Sequence, residues 1–156
     1  MPSVFISKPH HKQQLDASCL PACAKMMLDF VGNPIEESTL RDLLATDDWG
    51  TPALNILMLN ASLPDTKAEL HIWLLKDLIN YLEDKRQPCI VTVITTALPY
   101  WDEDDLSHAV VVCGFDEENI FVNDPDFDEE EFVVPIEAFL TAWAEAKNIA
   151  ITIERR

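Results

Sequence analysis

The sequence predicts an α+β fold, with helices in the N-terminal part packed on an antiparallel sheet formed by the C-terminal part. Three observations carry this expectation. Apolar residues recur at helical spacing through the first third of the chain. Four β-rich runs, CIVTVITT, SHAVVVCGF, ENIFVND and EEFVVP, then follow one another closely. Acidic, turn-prone segments separate those runs, which suits neighbouring antiparallel strands. With 156 residues the chain can build one hydrophobic core but not two, so a single domain over residues 1–156 is expected. Hydrophobic residues at 48% and charged residues at 25% exclude disorder, collagen-like repeats and a coiled coil.

The segment up to Asp16, with Pro2 and Pro9 among polar residues, reads as an extended arm. From Cys19, the residues Leu20, Cys23, Met26, Met27, Phe30 and Val31 recur at three and four, which predicts an amphipathic helix stopped by Gly32 and Pro34. Ser18 is a good N-cap type, and Pro21 fits only near a first turn because its ring removes a backbone donor. Cys19 is thus expected at a helix N-terminus. EESTLRDLLATDD and TPALNILMLNASL keep helical register as packing elements. Past the Pro64 turn the chain changes character: AELHIW alternates as a half-buried strand does, and LLKDLINYLEDKR returns to helical spacing before Pro88. After the four β-rich runs, PIEAFLTAWAEA opens on Pro135 as a helix and NIAITIERR closes the sheet.

Charge narrows the function. Eleven Lys and Arg against 28 Asp and Glu give a net charge of -17, a field that repels phosphate backbones and anionic lipid, so neither a nucleic-acid nor a membrane-surface role is expected. No run has signal-peptide or membrane-span length, which places the chain in the cytoplasm. Only three glycines are present, too few for a phosphate-cradling loop. The four cysteines (Cys19, Cys23, Cys89, Cys113) are too sparse for a disulfide scaffold, so each is read singly.

A thiol at a helix start lies in the positive end of the helix dipole beside unpaired amides, and both favour the thiolate. Cys19 is therefore preferred as nucleophile over Cys23, one turn further in, where a thiol behaves as a small core hydrophobe. Such a thiol needs a base, and of His10, His11, His71 and His108 the last opens a strongly apolar strand, where a rigid element can hold its ring at a cleft. The next strand ends in Asn123, Asp124 and Pro125. Asp124 is preferred as the group that orients His108, with Asn123 the choice if the strand faces the other way and a plain turn the bland reading of both. Gln13 and Gln14, just upstream of Cys19, are candidate amide donors to an oxyanion. Trp49, Tyr100 and Trp101 fall in loops, where they either line a cleft or join the core.

Together, QQLDASCLPACAKMMLDFVG and SHAVVVCGFDEENIFVNDP resemble the C39-like peptidases, relatives of the leader-cleaving domains of bacteriocin exporters. In that family a Gln stands six residues before the nucleophilic Cys, and a His precedes a strand hairpin ending in Asp-Pro. Gln13, Cys19, Ala22, Cys23, His108, Asp124 and Pro125 match this pattern, whereas Ser18 and Leu20 stand where an acidic residue and a Gly are usual. The resemblance implies a papain-like fold and hydrolysis of a peptide bond through Cys19, His108 and Asp124, with Gln13 as oxyanion donor. It implies a peptide or protein substrate.

Two other classes of function share these residues. Acyl transfer or deamidation runs on the same triad. A non-catalytic peptide- or protein-binding module keeps the fold without turnover. A metal site at His10, His11, Cys19 and Cys23 lacks tight ligand spacing, and the WDEDD and DPDFDEEE loops lack the glycine-bearing calcium pattern. No cofactor and no metal are expected.

Overall fold

The computed structural model describes residues 3–102 and 105–156. Pro2 of the opening arm, and Glu103 and Asp104 of the WDEDD loop, lie outside the described residues. The elements run β1 (Val4–Phe5), α1 (Cys19–Phe30), α2 (Glu37–Leu43), a 3-10 turn (Ala53–Met58), α3 (Leu59–Ser62), β2 (Thr66–Ile72), α4 (Leu75–Lys85), β3 (Cys89–Ile94), β4 (Ser107–Phe115), β5 (Asn119–Asn123), β6 (Phe132–Pro135), α5 (Ile136–Glu145) and β7 (Ile149–Arg155). The strands form one antiparallel sheet in the order β2-β7-β3-β4-β5-β6.

Both faces of this sheet are covered, and the alternation of side chains along each strand divides the core in two. Ile90, Ala109, Val111, Ile151 and Ile153 pack under α1, α2 and α3 with Leu20, Met26, Met27, Leu40 and Leu59. Val91, Val93, Val110, Val112 and Ala150 face the other way, against Leu78 and Leu82 of α4 and Phe139 and Trp143 of α5. β4 is therefore buried from His108 to Phe115, which explains its nearly unbroken apolar sequence. The expected picture of N-terminal helices on a C-terminal sheet describes one face; α4 and α5 supply the second layer.

The arm contains a strand that its polar composition hides. Val4 pairs with Phe115 and Phe5 with Gly114, and since β5 occupies the other edge of β4 there, β1 continues the edge beyond the start of β3. Gly114 makes this possible: a Cβ at that position would stand 2.2 Å from the Val4 carbonyl oxygen. At the far end of α1, Gly32 takes φ +82° and the Asn33 amide donates to the Leu28 carbonyl, the left-handed stop that its sequence position suggests.

Candidate active site

Cys19 is the first residue of α1. Ser18 occupies the N-cap position, yet its hydroxyl does not cap the helix. It is buried and turns back, donating to the Leu15 carbonyl at 2.8 Å and accepting from the Leu15 amide at 3.1 Å. The expected capping role of Ser18 is corrected accordingly: its side chain closes the turn before the helix. The consequence is that no side chain covers the first helical amides, and Pro21 removes one of them, leaving those of Cys19 and Leu20 at the positive end of the helix. Cys19 is partly exposed, while Cys23, Cys89 and Cys113 are buried and all four thiols are free. Burial pushes the thiols of Cys23, Cys89 and Cys113 up, Cys113 to about 11.

His108 stands at the start of β4, and Asp124 directly follows β5. Val111 is paired with Asn123, so Val110 lies level with Asp124 and His108 two residues further along, a diagonal neighbour. The His108 Nε2 meets Asp124 Oδ1 at 2.7 Å, and His108 and Cys19 line the same cleft. With Nε2 engaged by the carboxylate, Nδ1 is the ring nitrogen left for another partner. Burial opposes protonation of His108, but the hydrogen bonds and charges of Asp124 and Cys19 outweigh it and raise its pKa to about 10. Burial alone would raise the Asp124 pKa; the hydrogen bond and charge of His108, with the Asp126 amide and Trp101, hold it below its usual value instead.

Asp124 is fully buried and its acceptors are filled. Oδ1 takes the His108 ring and the Asp126 amide at 2.9 Å, and Oδ2 takes the Tyr100 hydroxyl and the Trp101 indole N–H, both at 2.9 Å. Trp101 also stands edge-on to the His108 ring, centroids 5.1 Å apart. Trp101 lines the cleft, as its loop position allowed, and Tyr100 and Trp101 both lean on the half-buried aromatics Phe127 and Phe132 while their polar tips hold Asp124. The one signal in the sequence is that both carry a donor beside an apolar ring. Asn123 points elsewhere, donating to His10 Nδ1 at 3.0 Å.

Gln13 lies against the same cleft. Its backbone N–H donates to the Pro125 carbonyl at 2.7 Å, and its side-chain nitrogen donates to the carbonyls of Leu15 at 2.8 Å and Asp16 at 3.0 Å. Its Oε1 is buried without a partner among the described residues. Gln14 is exposed, its Oε1 accepting from Arg41. The cleft, of about 530 Å³, opens beside Cys19 and His108; Trp49, 96% exposed, forms part of its lip with Thr51 and Pro52, so this tryptophan is no core residue. His10 and His11 are engaged by Phe127 and Glu37, away from Cys19.

A helix-borne thiol, a strand-borne imidazole and a buried carboxylate in this topology have counterparts in known proteins. The model of the Peptidase_C39 like family matches residues 5–151. The chain belongs to the Peptidase_C39 like family. By family it is a thiol-dependent peptidase. Its fold, the papain-like arrangement of helices and antiparallel sheet, is shared by several solved structures. A Bacillus anthracis chain described as a C39-like peptidase superposes with a TM-score of 0.80 at 20% identity, covering 100% of this chain and 99% of the other. The peptidase domain of Streptococcus ComA, a bi-functional ABC transporter involved in a quorum-sensing pathway, gives 0.76 at 25% identity over 94% and 97%. A double glycine motif protease from an AMS/PCAT transporter, in complex with a leader peptide, gives 0.75 at 19% over 98% and 95%. No curated protein matches the chain. Among the described residues, no helix is long and apolar enough to cross a membrane.

Proposed function

We propose that the chain hydrolyses a peptide bond with Cys19 as nucleophile, His108 as general base and acid, and Asp124 orienting His108. The observation that carries this is the position of His108, with Nε2 on the buried Asp124 and its ring in the cleft that Cys19 lines. Cys19 Sγ attacks the substrate carbonyl carbon as its proton rests on His108. Charge gathers on the carbonyl oxygen, where the Cys19 backbone N–H and the Gln13 side chain can donate, the latter by turning one N–H away from the Asp16 carbonyl. His108 then protonates the leaving amine. Water, deprotonated by His108, releases the acid from the thioester.

The substrate is a peptide or an unfolded segment that fits the open cleft between Trp49 and Trp101. The leader peptide bound to the AMS/PCAT relative makes double-glycine peptides the first to try. The excess of acidic groups disfavours nucleic acid and anionic membranes as partners, and the four free thiols suit a reducing cytoplasm.

The test is incubation with a peptide library that includes double-glycine sequences, with products read by mass spectrometry. Two fragments whose masses sum to the peptide plus water, absent with Cys19→Ala, support hydrolysis. A gain of a single mass unit on an intact peptide would show deamidation, and joining to an added amine would show acyl transfer. Tight peptide binding without any product would leave a binding module.

A further inference from the structure

Glu37, the first residue of α2, is the one fully buried carboxylate besides Asp124 among the described residues, and the catalytic scheme above does not use it. A carboxylate out of water costs several kcal/mol unless it is paired and hydrogen-bonded. Glu37 is both. Its Oε1 accepts from His11 Nε2 at 2.9 Å and from the Gln14 amide at 3.1 Å; its Oε2 accepts from the same amide at 3.2 Å and from Arg41, one turn along α2. The Arg41 guanidinium also reaches the Gln14 side chain at 3.1 Å.

Two of these donors, His11 and Gln14, come from either side of Gln13. His11 and Gln14 are tied to Glu37, while the Gln13 amide is tied to the carbonyl of Pro125, next to Asp124. The arm is thus pinned between α2 and the end of β5. An oxyanion donor acts only if it is held within about half an ångström of its working position, and a polar arm has no packing of its own to achieve this.

We propose that Glu37 is a positioning residue for acyl transfer, holding the main chain around Gln13 through the Gln14 amide and the His11 ring without touching Cys19 or substrate. The inference rests on Gln13 being the oxyanion donor. Two reactions of Cys19 separate this role from a merely structural one. Iodoacetamide alkylation displaces iodide at a saturated carbon and forms no oxyanion. Acetylation by 4-nitrophenyl acetate passes through one, leaving an S-acetyl enzyme and 4-nitrophenolate.

For Glu37→Gln the acetylation rate constant should fall on the order of tenfold or more while alkylation stays within about twofold, the same split as Gln13→Ala. The double variant should acetylate no more slowly than Gln13→Ala alone, since both act through one donor. Glu37→Asp, which keeps the charge and shortens the reach, should show a smaller split and guards against loss of folding in Glu37→Gln. Equal losses in both reactions for both Glu37 variants, no loss in either, or additive losses in the double variant would overturn the proposal. A wild-type protein that alkylates at Cys19 but never acetylates would instead overturn the acyl-transfer scheme itself.

Discussion

Asp124 decides the electrostatics around His108. Without its carboxylate, the burial that works against the imidazolium is opposed by Cys19 and by the more distant charge of Asp126. Asp124→Asn should therefore lower the His108 pKa from about 10, read by the titration of its ring protons in NMR spectra. The variant also leaves the wrong tautomer available, so peptide hydrolysis should fall on the order of a thousandfold or more. Tyr100→Phe and Trp101→Phe each remove one donor to Asp124 Oδ2 and leave His108 in contact with Oδ1. A charge-assisted hydrogen bond contributes about 1.5–3 kcal/mol, so either variant should lower the melting temperature and cost activity far less than Asp124→Asn. The placement of Cys19, His108 and Asp124 where an element begins or ends was legible, because helix and strand patterns locate such places. The buried ring of donors around Asp124 was not, because a loop sequence does not say which way an aromatic side chain turns.

At the scale of elements, α1 and β4 do most to bring these residues together. The run of apolar residues at three and four placed α1, and Pro21 and Gly32 bounded it. Ser18, however, serves the preceding turn, since a hydroxyl at an N-cap position competes between helix amides and nearby loop groups. Leaving the helix start without a side-chain cap keeps its amides available to charge at Cys19. β1 was not legible because two residues carry no period, and its partner Gly114 lies inside the run SHAVVVCGF without marking a second neighbour. Gly114→Ala would force a methyl group to 2.2 Å from the Val4 carbonyl oxygen and should release β1. The expected cost is about 1–3 kcal/mol in stability, seen in urea unfolding, with faster hydrogen exchange at Ile6, whose amide donates to the Cys113 carbonyl.

Over the whole molecule, the family and the antiparallel sheet with N-terminal helices on one face were accessible from motif order and strand pattern, while the assignment of α4 and α5 to the second face needed three-dimensional alternation to see. Stability against pH follows from the two buried titrating partners. His108, raised from 6.5 to about 10, contributes stability that is complete below 6.5 and is lost as pH rises through about 10. Asp124, lowered from 3.8, contributes stability present above 3.8 and lost as pH falls through its depressed value. The melting temperature should therefore be highest between about pH 4 and 6.5 on account of this pair. His108→Ala should flatten the decline on the alkaline side, and a decline as steep as in the wild type would assign it to other groups.

In the proposed reaction Cys19 is the nucleophile and His108 its base. Native protein treated with substoichiometric iodoacetamide across pH, with the modified residue located by mass spectrometry, addresses it directly. Cys19 should be labelled ahead of the buried Cys23, Cys89 and Cys113, and its labelling should be slowed by His108→Ala. Labelling of Cys19 no faster than that of the buried thiols, and unchanged by His108→Ala, would contradict this pairing.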